Sequence, residues 1–199
     1  MSRTNVNYLL YRNARDWMDG LKIKRDVEDE KQMNEEDFMN KMIYDQFVVI
    51  NGVQTNGRPI IVIVVSEMNS FSKKKDTERV IAKIPDDGSV DGVVISVKIA
   101  SQLAPYAHIK NVKHDWLLID PRTHINSAKY EIIRDEQHLI DEVLYDSVLE
   151  TTKELSSLPK EKLSSNPLLF WIGAKKGDVL KVIADAEDVN VMAQYNLVV

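Results

Sequence analysis

The sequence predicts an α+β (mixed α/β) protein of two domains: N-terminal helices followed by a mixed sheet, then a small C-terminal α/β domain. Three observations support this prediction. Apolar residues recur at helical spacing near the start of the chain, and β-branched runs between turn dipeptides follow them. A proline-containing break at Asp120 to Thr123 coincides with a change in charge. We place the boundary there, which gives domains of residues 1–122 and 123–199.

The composition is that of an ordinary globular protein, since 44% of residues are hydrophobic and 29% are charged. Cysteine is absent, which excludes disulfides, thiolate metal ligands and cysteine nucleophiles and favours a reducing compartment. No apolar run approaches the roughly 18 residues that cross a bilayer, and Met1 to Asn7 lack a signal-peptide core. We therefore expect a soluble intracellular protein.

The charge is unevenly distributed along the chain. Residues 1–122 carry 18 basic and 18 acidic side chains, whereas residues 123–199 carry 8 and 13, which accounts for the whole net charge of −5. A net negative charge argues against a general nucleic-acid binder. Any contact with nucleic acid would have to come from local basic segments.

The N-terminal domain begins with two predicted helices, one over residues 6–21 and a shorter one that Asn34 caps. The β-branched runs 47–50 and 60–65 predict strands, and the second is apolar enough to be buried on both faces. Short apolar segments predict the remaining elements, which are strands at 80–84, 93–97 and 116–119 and a brief helix at 100–106.

The C-terminal domain begins with a predicted strand ending at residues 130–133 and a helix from Asp135 to Val148. Two closing strands are predicted at residues 179–183 and 195–199. Phe170, Trp171, Val198 and Val199 are predicted to pack as core.

A short helix is predicted between these strands. Asn166 and Pro167 form an N-cap and first-turn pair that opens it. Gly173 closes it, because glycine tolerates the left-handed backbone that commonly follows a helix. Gly177, between Lys176 and Asp178, predicts a tight turn that leads into the next strand.

This segment also resembles a family signature. Asn166-Pro167 and the run Trp171 to Ile183 correspond to Asp-Pro, then aromatic, aliphatic, Gly, Leu, Lys, basic, Gly, acidic, Val-Val-Lys-Ile-Ile. The pair Leu158-Pro159 and the stretch Ile125 to Ile133 are similar as well. The family is the fifth subunit of eukaryotic RNA polymerases together with its shorter counterpart in the archaeal RNA polymerase. The N-terminal domain resembles it only in the order of its elements.

The resemblance implies a non-catalytic subunit of a DNA-directed RNA polymerase. In the family the C-terminal domain docks on the largest subunit, and the N-terminal domain forms part of the jaw beside downstream DNA. The implied partners are the largest subunit, other polymerase subunits and downstream DNA, with no membrane and no small-molecule substrate. The active-site magnesium belongs to the largest subunit, so we expect no catalysis, cofactor or metal in this chain.

The positions at which this sequence differs from the family's signature indicate which kind of polymerase it comes from. The family's basic residues near the last turn are replaced within Ala184 to Asp188 and at Asn190 and Val191, and its arginine before the aromatic is Phe170. The archaeal form lacks an N-terminal domain, so a eukaryotic or viral polymerase is implied. The divergence favours a large DNA virus, hence the virion and host cytoplasm; the nucleus is the alternative.

Two groups of candidate site residues follow. The candidate subunit interface consists of the signature residues Asn166, Pro167, Gly173, Lys175, Lys176, Gly177 and Asp178. The candidate DNA-facing residues are Lys73, Lys74 and Lys75 in a predicted polar loop, and Lys110 and Lys113, which lie between His108 and His114. For all of these lysines, simple solvation is the alternative interpretation.

Two rival functions remain open. A free-standing adaptor would bind a peptide at a sheet edge. A metal-dependent nuclease would combine acidic residues with Lys73 to Lys75, although the sequence has no HExxH spacing and no GxSxG elbow. The residues weighed for such chemistry are His108, His114, His124, His138, Asp26, Glu28, Asp29 and Glu30.

Overall fold

A computed structural model of the chain describes residues 5–26, 33–66, 74–98, 101–120, 128–135, 137, 139–146, 151–152, 154–184 and 192–199. The chain divides into two compact units, Met1–Asp120 and Pro121–Val199. Both units combine helices with a sheet, which confirms the predicted α+β class. The predicted boundary residues Arg122 and Thr123 lie outside the described residues.

The first unit is built on a five-stranded mixed sheet. Its elements are α1 (Val6–Gly20), β1 (Lys24–Arg25), α2 (Glu35–Asp45), β2 (Phe47–Val53), β3 (Pro59–Val65), α3 (Lys74–Ile81), β4 (Asp91–Ser96), a 3-10 turn (Ser101–Leu103), β5 (Ile109–Lys113) and α4 (Asp115–Leu118). The strand order is β1-β2-β3-β4-β5. β2 pairs antiparallel with β1 and β3, whereas β3, β4 and β5 are mutually parallel. Parallel neighbours need a crossover, which α3 provides between β3 and β4.

Alternating side chains give this sheet two buried faces. One face packs against α3 and the 3-10 turn; its core comprises Phe47, Ile63, Val65, Val80, Ile84, Val94, Leu103 and Ile109. The opposite face contacts α1. A Cβ added at Gly52 on this face would meet the side chains of Met18, which belongs to α1, and Ile23. In β3, Ile60 and Val62 to Val65 are all buried, which confirms that this strand is covered on both faces.

Two predicted strands of this unit are helical. Residues 80–84 form the end of α3 and the turn after it, and Val80 and Ile84 lie four residues apart on its buried side. Residues 116–119 belong to α4 and its end, whereas the last strand is β5. Both predictions were wrong because a short apolar run fits either structure, so its periodicity does not discriminate.

The ends of α1 and α2 show standard hydrogen bonds, but both helices are followed by a left-handed residue other than glycine, Lys22 and Gln46. Asn34 Oδ1 accepts a hydrogen bond from the Asp37 amide at 2.8 Å, which confirms the predicted cap of α2. α1 ends in a Schellman motif, in which the Lys22 amide donates to Asp19 O and the Ile23 amide to Met18 O, both at 2.9 Å. Lys22 holds the left-handed position of this motif, with φ 57°, where glycine is usual.

The second unit contains a four-stranded sheet in the order β6-β10-β11-β9. Its elements are β6 (Ala128–Ile133), a π-helical segment (Leu139–Leu144), β7 (Tyr145–Asp146), β8 (Thr151–Thr152), a 3-10 turn (Leu155–Ser157), β9 (Lys160–Glu161), α5 (Pro167–Trp171), β10 (Val179–Ala184) and β11 (Met192–Val198). β10 pairs antiparallel with β6 and β11. β10 and β11 correspond to the two closing strands predicted from the sequence. The helix predicted from Asp135 to Val148 is shorter, because Tyr145 pairs with Thr152 instead.

The core of this unit lies between α5 and the sheet. Leu169, Ala174, Leu180 and Val198 form its centre. Phe170 and Trp171 are each 1% exposed, which confirms that both aromatic residues are buried. Across the described residues of both units, no helix is long and apolar enough to cross a membrane.

Candidate functional site

The signature segment opens with a capped helix. Asn166 Oδ1 accepts a hydrogen bond from the Leu168 amide at 2.9 Å, and Pro167 occupies the first turn of α5. The Asn166 amide group also donates to a carboxylate oxygen of Glu161 at 3.2 Å. The predicted N-cap is confirmed, and the side chain of Asn166 is engaged within the unit.

The helix ends in a Schellman motif centred on Gly173, whose φ is 70°. The Gly173 amide donates to Phe170 O at 3.1 Å and the Ala174 amide to Leu169 O at 2.8 Å. Leu169 and Ala174 belong to the same buried cluster, which supplies the apolar contact that accompanies this motif. The predicted role of Gly173 is confirmed.

The turn at Gly177 joins the helix to the hairpin. Gly177 has φ 94°, and a Cβ placed there would meet no atom within 4 Å. Its amide donates to Val198 O at 2.9 Å, and the Asp178 amide donates to Lys175 O at 3.0 Å. The demand for glycine therefore comes from the backbone angle and not from crowding.

Asp178 is held by a cluster of internal hydrogen bonds. Arg134 donates two hydrogen bonds to the carboxylate, from Nε to Oδ1 at 3.1 Å and from Nη2 to Oδ2 at 2.8 Å. The Lys175 amide donates to Oδ2 at 2.8 Å, and Arg134 Nη2 also donates to Gly173 O at 3.1 Å. The Asp178 side chain is 11% exposed and that of Arg134 is 54% exposed. A bidentate arginine–carboxylate pair fixes geometry as well as adding energy.

The predicted interface residues thus fall into two overlapping groups. Five of them have bonds or angles that serve the fold: Asn166, Pro167, Gly173, Gly177 and Asp178. Three form an exposed turn, to which Gly177 also belongs: Lys175, Lys176 and Gly177. We call these three residues the basic turn. Sequence reasoning missed Arg134, because no local pattern links it to a carboxylate 44 residues away.

The described residues among the predicted DNA-facing lysines lie on two different elements, α3 and β5. Lys74 and Lys75 lie in the first turn of α3, so the prediction of a loop is wrong for them, and Lys75 is exposed. Lys113 is exposed at the end of β5. Lys110 is half-buried beside Val93, on the sheet face opposite α3, and burial lowers its pKa below the ordinary value of 10.5.

The histidines interleaved with these lysines are not arranged to contact phosphate. His114 is buried, and its Nε2 lies 2.9 Å from Val65 O. His108 is half-buried with its ring edge-on to Tyr106. In the part of the chain that the structure describes, no three histidine or acidic side chains are grouped to hold a metal.

Several predicted features lie outside the described residues. They are Lys73, His124, His138, Glu28 to Glu30 and the departures from the family within residues 185–191.

No protein-family model and no curated protein matches this chain. The functional proposal therefore depends on the signature residues and their arrangement.

Proposed function

We propose that this chain is a non-catalytic subunit of a multisubunit DNA-directed RNA polymerase. Its C-terminal unit would dock on the largest subunit, and its N-terminal unit would lie beside downstream DNA as part of the jaw. The observation that carries the proposal is the signature from Asn166 to Ile183. Its residue types and spacing resemble those of the polymerase subunit family.

The local structure supplies a physical reason for that spacing. Asn166 caps α5, Gly173 ends it, Gly177 reverses the chain and Asp178 is clamped by Arg134. Each of these residues fixes the backbone or a side-chain contact at its own position, which favours a segment that folds as one rigid element. Such an element is a suitable support for a docking surface, because little conformational entropy is lost when it binds.

The basic turn is the part of this element available to a partner. Lys175 and Lys176 are exposed, whereas the unit around them is acidic, with 8 basic and 13 acidic residues over 123–199. Two adjacent lysines on a rigid turn favour an acidic patch on the partner, since complementary charge speeds association and sets orientation. The proposal places the protein with the transcription machinery, in the virion and host cytoplasm of a large DNA virus or otherwise in the nucleus.

A charge-reversal pull-down tests the proposal. The tagged chain carrying Lys175→Glu and Lys176→Glu is compared with the wild type for recovery of the two large polymerase subunits from its native source. Lys160→Glu with Lys162→Glu serves as the matched control, because both residues are exposed in the same unit.

We expect the basic-turn variant to lose the large subunits while the control retains them. Equal retention by both variants would remove the basic turn from the interface. Failure of the wild type to recover any polymerase subunit would contradict the proposed function itself.

A further inference from the structure

A cleft of about 670 Å³ opens in the first unit between α2, β2 and α3. Its floor is formed by β2 residues, and its two walls come from the helices and the turn after α3. The lining consists of Lys41, Asp45, Phe47, Val49, Asn51, Arg79, Ala82 and Lys83. We call this the basic cleft.

The charges of the basic cleft are unbalanced. Its lining has three cations, Lys41, Arg79 and Lys83, against one acidic residue, Asp45. All three cations are exposed, and none of their side chains forms an ion pair or hydrogen bond with another residue in the described ranges. The cleft therefore has unneutralised positive charge on rigid secondary structure, which suits an anionic ligand.

A fourth cation extends the charge along α3. Lys75 and Arg79 are spaced by four residues, which puts them on one side of α3 about 6 Å apart. Lys83 follows in the turn after the helix, where its amide donates to Val80 O at 3.1 Å. The result is a row of cations along α3 and the turn after it.

Arg79 is held in place at the centre of this row. Its guanidinium carbon lies 5.9 Å from the ring centroid of Phe47, the aromatic residue of the cleft floor. Stacking on an aromatic ring orients the guanidinium while leaving its outward N–H donors available. A planar fork of this kind suits phosphate oxygens.

We propose that the basic cleft binds the sugar-phosphate backbone of a nucleic acid. A backbone presents a series of negative charges, which suits a row of cations along α3 and the turn after it. An acidic peptide fits less well, because the lining offers only Phe47, Val49 and the small Ala82 as apolar anchors and Phe47 is 7% exposed beneath Arg79. The inference deepens the proposed function and rests on it, since that function already has the N-terminal unit beside DNA; DNA binding by the chain and recovery of polymerase subunits are measured separately.

An exposed aromatic residue favours nucleic acid further. Tyr44 is 81% exposed and follows Lys41 by three residues on α2, so it lies on a neighbouring part of the helix surface. Exposed aromatic rings beside basic grooves stack on unpaired bases. Tyr44 thus distinguishes the two forms of the ligand, since a duplex leaves no unpaired base to stack.

The test uses the full chain and fluorescence anisotropy with labelled DNA, supplied as a single strand and as a duplex over a range of salt. The triple variant Lys41→Gln, Arg79→Gln and Lys83→Gln removes the cations of the lining. The matched control, Arg12→Gln, Lys22→Gln and Lys24→Gln, removes the same charge from exposed positions outside the cleft.

We expect the cleft variant to bind DNA at least about tenfold more weakly, with a salt slope shallower by about 2 to 3, since each lost phosphate contact removes about 0.9. The control should stay within about twofold of the wild type. If Tyr44→Ala weakens only single-strand binding, the ligand is a single strand; if it changes neither, the ligand is a duplex.

Three results would overturn the proposal: equal loss of affinity in the cleft and control variants, no salt-dependent binding by the wild type, or stronger cleft-dependent binding of a polyglutamate peptide than of DNA. The double variant Lys41→Gln and Lys83→Gln leaves the stacked Arg79 unchanged. It should show an intermediate loss with an unaltered circular dichroism spectrum, which separates binding from misfolding.

Discussion

Arg134 and Asp178 form a bidentate ion pair, in which Nε donates to Oδ1 at 3.1 Å and Nη2 donates to Oδ2 at 2.8 Å. The pair joins the residue after β6 to the turn before β10. The carboxylate also accepts the Lys175 amide at 2.8 Å, and the guanidinium also donates to Gly173 O at 3.1 Å. The backbone on both sides of the basic turn is therefore fixed by this one contact.

The two partners of this pair should differ in their contributions to stability. Asp178→Ala should lower the free energy of unfolding by about 0.5–1.5 kcal/mol, because the hydrogen bond from the Lys175 amide to the carboxylate is lost. Arg134→Ala should lower it by only about 0–1 kcal/mol, because the guanidinium is half-exposed and screened by solvent. Urea denaturation of both variants and of the double variant measures the difference. A larger effect of Arg134→Ala would contradict this account.

Lys22 should be replaceable by glycine with a gain in stability. Its backbone has φ 57°, a left-handed angle that is unfavourable for a residue with a Cβ by about 1–2 kcal/mol. Lys22→Gly should raise the free energy of unfolding by up to about 1 kcal/mol, since the flexibility of glycine in the unfolded chain offsets part of the gain. Thermal denaturation checks it, with Lys22→Ala as the control that should bring no gain.

Gly177→Val should destabilise the closing hairpin and weaken docking. The φ of 94° is a conformation that β-branched residues rarely adopt, at a cost of about 1–3 kcal/mol. Gly177→Asn should cost less, because asparagine tolerates left-handed angles better. Denaturation and the pull-down report the two effects. A Gly177→Val chain as stable as the wild type would show that the turn does not require glycine.

Lys110 should give the stability a pH dependence with a defined sign. Burial lowers its pKa in the folded chain below the ordinary 10.5, so between the two values the unfolded chain binds more protons. Stability should therefore rise as the pH rises through the folded pKa towards about 10.5. Lys110→Met should remove this rise. Urea denaturation from neutral to alkaline pH measures it.

The variant Lys110→Met also tests where the chain contacts DNA. If Lys110 faced phosphate, Lys110→Met would weaken DNA binding. Since Lys110 is half-buried on the sheet face opposite α3, we expect DNA affinity to be unchanged.

The structural roles of the signature residues could be predicted from the sequence because they depend on local backbone geometry. An asparagine before a proline opens a helix, and a glycine after it accepts a left-handed angle, whatever surrounds them. Arg134 could not be predicted, because its partner becomes adjacent only when β6 pairs with β10. The basic cleft was missed for the same reason, since α2, β2 and α3 supply its lining from separate parts of the chain.

Misassigned elements show where local patterns were ambiguous. By composition, Val80 to Ile84 suit a strand. They instead form the end of α3 and the turn after it, and both Val80 and Ile84 are buried. β5 was overlooked because Lys110, Asn111 and Lys113 make its sequence polar, although its edge position in the described sheet tolerates polar side chains.

Affinity purification of the tagged wild-type chain from its native source, with mass spectrometry after a moderate salt wash, tests the central proposal most directly. We predict that the two large RNA polymerase subunits remain bound in amounts comparable to the chain. Recovery of the chain alone, folded and monomeric, would contradict the proposed role and assign the signature to a shared fold with another function.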